Sequence, residues 1–298
     1  MSTVQPRVVN AGGVPMSALL AEAENQNEQP RAVLVALHGG GTTSAYFDCP
    51  GRPRLSLLRT GAALGYTVVA LDRPGYGSSA PYPDAMTDPG QRVNLAYLAV
   101  DRVLGERPRG AGLFVMAHSN GCELALRMAA DDRGTDLLGL ELAGTGLHYH
   151  PAARDVLATA RPDHRPAGLR ELLWEPTRLY PADVLGGITN ASTGAAYEAA
   201  MVTDWPRHDF PALAGQARVP VQFSFAEHEK VWQSDSAAQA EIGAMFTAAP
   251  SFAVNEQASA GHNLSLGWTA TAYHLSVFSF VEQCVVASTA TDVDLEAG

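Results

Sequence analysis

Ser119 lies in the pentapeptide Ala117-His118-Ser119-Asn120-Gly121, with an apolar run at residues 112–117 before it and a helical run beginning at Gly121. That context predicts a sharp strand-to-helix turn with the hydroxyl at its tip. Small residues two before and two after the serine let the two backbones pack closely and hold the serine in a strained conformation. A hydroxyl placed this way becomes a nucleophile when a base can take its proton. Of the nine histidines, His262 in Gly261-His262-Asn263 has the right place. It follows the last expected strand and precedes the C-terminal helix, on a loop that can reach across a sheet edge.

Such chemistry also needs donors for a developing oxyanion. His38-Gly39-Gly40-Gly41 directly follows the apolar run at residues 32–37. A glycine run there brings backbone N–H groups to a substrate without side-chain obstruction. Gly40 is the first candidate donor and Gly41 the second, paired with the N–H of Asn120 at the start of the following helix. A phosphate loop is excluded, because no GxxxxGK[ST] occurs and no G-x-G-x-x-G opens a helix here. His38 is expected to be structural. An acid must fix the tautomer of the base. Residues 144–150 contain no carboxylate, whereas Ala226-Glu227-His228-Glu229-Lys230-Val231-Trp232 offers Glu229 first, with Glu227 and Asp235 in reserve.

The elements that must position these residues are legible as well. Two candidate strands, residues 4–9 and 16–22, flank the turn Gly12-Gly13, and residues 24–29 read as a polar loop. Continuous apolar runs at residues 32–37, 67–71, 112–117, 138–143, 221–225 and 252–254 read as strands buried on both faces. Helical stretches at residues 56–64, 92–104, 121–130, 236–246 and 268–286 alternate with them, which implies βαβ units and a mostly parallel sheet. Residues 151–220 break this rhythm, with Arg, Pro and Trp but no buried strand. They are expected to form a helical cap inserted over the C-terminal edge of the sheet. The expected organisation is therefore a core of residues 1–150 and 221–287, a cap of residues 151–220 and a frayed tail of residues 288–298.

Composition bounds the partners. Twenty basic against 31 acidic residues give a net charge of −11, which disfavours a phosphate backbone, so no nucleic-acid partner is expected. A single lysine, Lys230, stands against 19 arginines, which leaves Schiff-base or Ser–Lys chemistry one residue to work with. With its frequent alanine, the usage is that of a high-GC bacterial genome. Cys49, Cys122 and Cys284 are odd in number and far apart, so neither a disulfide framework nor a zinc site is expected, and Cys122 reads as an inert small hydrophobe. The first ten residues carry no basic-then-apolar signal and no apolar run could span a bilayer. A cytoplasmic chain without membrane contact is the expectation.

Together these motifs resemble the α/β-hydrolase fold superfamily over most of the chain. Leu71-Asp72-Arg73-Pro74-Gly75-Tyr76-Gly77-Ser78-Ser79 is similar to that family's D-x-x-G-x-G-x-S turn, and Val219-Pro220-Val221 followed by Ala226-Glu227-His228-Glu229 is similar to its penultimate strand and acid loop. The resemblance implies an α/β-hydrolase fold with Ser119 as nucleophile, His262 as base, Glu229 as orienting acid where the family usually has Asp, and Gly40 with Asn120 as oxyanion donors. A serine at position 119 argues against the epoxide hydrolases and dehalogenases, which use aspartate. His118, His148 and Tyr149, together with Gly41, are expected to line the substrate pocket. Trp174 and Trp205 are expected to roof it. No metal or organic cofactor is implied. The expected activity is hydrolysis of an ester or thioester of a modest-sized apolar acyl compound. Natural-product thioesterase, haloperoxidase-like and carbon–carbon hydrolase or lyase activities remain open on the same residues, as does a non-catalytic ligand receptor.

Overall fold

The computed structural model describes residues 3–24, 29–159, 166–187, 192 and 194–296. Eight strands form one sheet: β1 (Gln5–Ala11), β2 (Val14–Ala21), β3 (Val33–Leu37), β4 (Thr67–Leu71), β5 (Leu113–His118), β6 (Leu137–Ala143), β7 (Val221–His228) and β8 (Phe252–Gly261). Their order across the sheet is β1-β2-β4-β3-β5-β6-β7-β8. β1 and β2 form an antiparallel hairpin and β2 runs antiparallel to β4, while all later pairs are parallel. This is an α/β-hydrolase fold.

Every residue of β3, β4 and β6 is buried. Their apolar side chains divide between two cores by the alternation of a strand: Val33, Val35 and Leu37 join one, Leu34 and Ala36 the other. The first core is covered by α2 (Pro89–Leu104), α3 (Gly121–Ala130) and α9 (Ser236–Met245), the second by α1 (Leu57–Ala63) and α10 (Ala270–Glu296). Helix starts follow local chemistry. Ser56, Asp88 and Asp235 each accept a backbone N–H from the first turn of α1, α2 and α9.

Between β6 and β7 the described residues form five short α-helices: α4 (Pro151–Leu157), α5 (Leu169–Trp174), α6 (Ala182–Gly187), α7 (Glu198–Asp204) and α8 (Phe210–Ala214). A π turn at Trp205–Asp209 joins the last two. No strand occurs there among the described residues. The loop expected at residues 24–29 falls largely on residues 25–28, which lie outside the described residues, as do 160–165, 188–191 and 193 of the expected cap.

Two boundaries differ from the sequence reading. β8 runs on to Gly261, well past residue 254, because its pairing with β7 tolerates polar residues on an outer strand with one face open to water. Of the expected frayed tail, residues 288–296 belong to α10, which continues through Glu296. Small and polar residues there carry no strong helix breaker, so the preceding apolar turns propagate. No helix among the described residues is long and apolar enough to cross a membrane.

Candidate active site

The chain turns from β5 into α3 at Ser119, whose φ of 52° is unusual for a residue with a side chain. Its N–H donates to the Ala143 carbonyl at 2.8 Å, so the adjacent strand β6 pins the turn. The following helix passes so close to β3 that a Cβ at Gly121 would lie 2.4 Å from the Leu37 carbonyl oxygen. Only glycine fits that position without displacing backbone. Strain at the serine is therefore imposed by backbone packing on both sides.

His262 follows the last residue of β8, and Glu229 the last residue of β7. Ser119 Oγ is 3.2 Å from His262 Nε2, and His262 Nδ1 is 3.0 Å from both carboxylate oxygens of Glu229. An ionised carboxylate can only accept, so Nδ1 carries the proton and Nε2 is left to accept from the serine hydroxyl. Both side chains are buried, His262 2% and Glu229 5% exposed. Burial alone would raise the Glu229 carboxyl, but the imidazole of His262 and the N–H groups of Val231 and Trp232 outweigh it and hold it below its ordinary value. Gly144 leaves room for the imidazole, since a Cβ there would sit 3.2 Å from His262 Cε1.

The other two carboxylates expected in reserve have different partners. Glu227 accepts the Ser259 N–H at 2.7 Å and is half exposed, and Asp235 caps α9 by accepting the Ala238 N–H at 2.9 Å. The sequence reading placed Glu229 first of the three, and it is Glu229 that lies against His262. A bulge between Ala226 and His228 shifts the register of β7 against β8 and re-aims the end of the strand.

The Gly39–Gly40 segment passes over the serine, a Cβ at Gly39 lying 3.1 Å from Ser119 Cβ. The N–H groups of Gly40 and Asn120 have no protein acceptor among the described residues, and both residues line the cavity. Gly41, the expected second donor, is corrected: it lines the cavity, but its N–H donates to the Tyr76 hydroxyl at 3.1 Å. His38 is buried, its Nδ1 2.7 Å from the Gly39 carbonyl while its Nε2 accepts the Arg73 N–H at 3.1 Å.

Of the other residues expected to line the pocket, His118 presents little polar surface to it. Its ring is buried and stacked on Tyr46, centroids 4.7 Å apart, and Nε2 donates to the His262 carbonyl at 2.8 Å. Burial holds His118 well below its ordinary value, so it is neutral. His148 lies at the rim, half exposed, with Nε2 2.9 Å from Glu241. Tyr149 stacks on Trp232 at 4.4 Å and donates to the Val202 carbonyl at 3.0 Å. Trp174 and Trp205 are both buried, and Trp205 donates its indole N–H to Thr145 at 2.8 Å.

These residues line a cavity of about 2150 Å³ between the sheet edge and α4, α5 and α7 with the turn after it. It exceeds the ~300–1,000 Å³ usual for small-ligand pockets, leaving room for more than a modest acyl group. Its two carboxylates are ion-paired inward: Glu123 with Arg92 at 2.9 Å and with Arg127, Glu198 with Arg73. Arg154, Arg170 and Arg207 also line it and are exposed. Among the described residues no group of three or more His, Cys, Asp or Glu could hold a metal ion. Sequence reasoning missed Arg73, Tyr76, Glu123 and Glu198. For the first two a signal existed, since they sit inside the turn quoted above; for Glu198 none did, because its partner lies far away in sequence.

Known structures place this architecture among the α/β hydrolases. A mutant N-acyl homoserine lactonase complexed with N-hexanoyl homoserine matches with a TM-score of 0.65 at 18% identity, covering 95% of this chain and 98% of that one. A thioesterase domain from the curacin biosynthetic pathway matches with 0.60 at 19%, over 93% and 99%. A thermostable carboxyl esterase from Bacillus coagulans, in complex with glycerol, matches with 0.63 at 18%, over 95% and 99%. At such identities the likeness is one of fold. No curated protein matches the sequence. The model of the alpha/beta hydrolase family matches residues 33–272, and the chain belongs to that family.

Proposed function

We propose that this protein is a serine hydrolase that cleaves an ester or thioester through Ser119, His262 and Glu229. The observation that carries the reading is the continuous relay from Ser119 Oγ through His262 to Glu229, at 3.2 and 3.0 Å, on a serine held at φ 52°. In this reaction His262 Nε2 takes the hydroxyl proton as Oγ attacks the acyl carbon. The carbonyl oxygen becomes an oxyanion facing the N–H groups of Gly40 and Asn120. His262 then returns its proton to the leaving oxygen or sulfur, leaving an acyl-Ser119. Water, deprotonated by His262, releases the acid and restores the serine. Glu229 keeps Nδ1 protonated and stabilises the imidazolium throughout.

Residues 151–220 act in this reading as the cap that selects the acyl group, with Trp174 and Trp205 in its apolar wall. The exposed Arg154, Arg170 and Arg207 suit a polar or acidic group at the far end of the substrate. Solved neighbours that include a thioesterase and a carboxyl esterase support an acyl bond to sulfur or oxygen as the target. No metal or organic cofactor takes part, and a cytoplasmic setting accords with the reading. The test is labelling with a fluorophosphonate probe followed by peptide mapping. Modification at Ser119 is expected; an unlabelled protein whose cavity still binds apolar ligands would make it a receptor instead.

A further inference from the structure

The turn after β4 carries a fully buried arginine that touches the candidate oxyanion loop and the cap at once. Arg73 is 0% exposed. One of its terminal nitrogens donates to the Gly39 carbonyl at 3.0 Å and to the Glu198 carboxylate. The other reaches the Asn120 carbonyl at 3.4 Å. Glu198 opens the cap helix α7, and its second oxygen accepts the Tyr76 hydroxyl at 2.6 Å. Tyr76 in turn accepts the Gly41 N–H, and its ring lies under the Arg73 guanidinium at 4.8 Å. Tyr197, next to Glu198, donates to the Pro74 carbonyl at 3.0 Å, so the cap is seated on this turn at two adjacent residues.

The consequence follows from the geometry of a trans peptide, whose C=O and N–H point to opposite sides of the chain. Arg73, with His38 Nδ1 at 2.7 Å beside it, holds the Gly39 carbonyl on the protein side of the loop. The N–H of Gly40, in the same peptide unit, is thereby turned the other way, where no group among the described residues accepts it. Were this peptide to flip, a carbonyl would face the site where negative charge develops. A buried guanidinium exerts that hold only while its own charge is compensated. Among the described residues its ion-pair partner is Glu198. Arg73 Nε has no hydrogen-bond partner among the described residues, so the Nη contacts carry the arrangement.

We propose that Glu198 is a positioning residue: by fixing Arg73 and Tyr76 it aims the Gly40 N–H at the developing oxyanion, so that seating of the cap completes the oxyanion hole. This rests on the serine-hydrolase reading above. It adds that a cap carboxylate with no place in the proton relay sets the rate of acyl transfer. This role requires no contact between the ester substrate and Arg73 or Glu198.

The experiment compares the full-length protein with Glu198→Gln and Arg73→Lys. It measures kcat and KM for a p-nitrophenyl ester and inhibition by two ligands of the same acyl chain. One is a trifluoromethyl ketone, to whose carbonyl carbon Ser119 Oγ adds while its proton passes to His262 and the oxygen becomes the oxyanion; the other is an uncharged amide that only occupies the cavity. Both variants are expected to lose ~10–10²-fold in kcat, less than the ~10²–10³-fold for outright loss of an oxyanion donor. KM and amide binding should stay within about threefold, and ketone affinity should fall with kcat. Equal weakening of ketone and amide, or an unchanged kcat in folded variants, overturns the proposal. If the single variants unfold, Arg73→Met with Glu198→Met removes the buried pair together. That double variant should still show the ketone-specific loss, and recovery of parental kcat in it overturns the proposal. A parent protein that neither cleaves the ester nor binds the ketone overturns the hydrolase reading and this one with it, whereas an active parent with indifferent variants overturns this one alone.

Discussion

The sheet edge and the cap hold their functional residues by different means. Ser119, Glu229 and His262 each stand directly after the final residue of a parallel strand, β5, β7 or β8. Their relative positions are set by strand register, and the backbone bonds that fix them are buried. The cap helices α4–α8 are five to seven residues long. Helices that short are marginal by themselves in water. They are seated by side chains reaching to the core: Glu198 on Arg73, Trp205 on Thr145, Asp209 on Arg127, and Asn263 on the Leu173 carbonyl. On the proposed reading, catalytic geometry is set mainly by the backbone, and access by a few side-chain contacts. Substitutions at the sheet edge should act on rate and substitutions in the cap on selection, Glu198 excepted because it bears on the oxyanion loop through Arg73.

The largest break in that contrast is Ser119→Ala. It should remove fluorophosphonate labelling and lower ester turnover by ~10⁴–10⁶-fold, with the thermal unfolding midpoint little changed. His262→Ala should cost nearly as much, and the double variant no more than either alone, because the residues act as one unit. Losses that add on a logarithmic scale would separate them into independent effects.

Glu229→Gln sharpens the contrast one step down. The amide leaves the imidazole in place but no longer enforces its tautomer, so turnover should fall ~10²–10⁴-fold. Glu227→Gln and Asp235→Asn, whose acceptors serve a loop and a helix cap, should stay within a few-fold of the parent in the same ester assay. A collapse in either, with Glu229→Gln nearly unaffected, would transfer the role.

The same division explains what could be read from the sequence. Strand cores such as VLVAL and TVVAL announce themselves through uninterrupted apolar runs, and the elbow and glycine loop through fixed local spacing. All eight strands and the central helices were therefore legible, as was the placing of Ser119 and His262 at strand ends. The outer strand β8 was cut short, because its exposed face alternates with polar residues. Glu198 left no local trace, as an acidic residue near the start of a helix is commonplace. Its partner is more than a hundred residues away, and only the folded cap brings the two together. Gly41 read as a donor because the sequence does not reveal that Tyr76 accepts its N–H.

Within the cap, Trp205→Ala should alter selection while sparing chemistry. It removes the indole bond to Thr145 and the stacking on Phe210, centroids 5.2 Å apart. Comparing kcat/KM across p-nitrophenyl esters from acetate to dodecanoate, the preferred chain length should move by ~10-fold in relative specificity, while acetate stays within a few-fold. Trp174→Ala, on the opposite core cluster, should shift it independently. If both variants lose acetate cleavage and cooperative unfolding together, the tryptophans belong to the core and the division of labour fails at this point.

The smallest effect tests whether the sheet acts as one rigid body beneath the cap. Glu141 on β6 is wholly buried, and Tyr273 of α10 donates to it at 2.9 Å. Its second oxygen has no partner among the described residues. Burial pushes its carboxyl up to about 8, from an ordinary value of 4.5. The folded chain therefore keeps this proton through a range in which the unfolded chain has lost it. Since the unfolded state binds fewer protons there, stability should fall as pH rises from about 4.5 to about 8 and change little from this group beyond. Glu141→Gln retains an acceptor for Tyr273 and removes the titration. Urea unfolding at intervals from pH 5 to pH 8.5 should show the parent losing a few kcal/mol more than the variant, with one cooperative transition in both. Chain-length preference should be identical in the two proteins at each pH. Parallel stability curves would mean that Glu141 does not titrate as its burial requires. A changed chain-length preference would mean that the core behind β6 and the cap are not energetically separate.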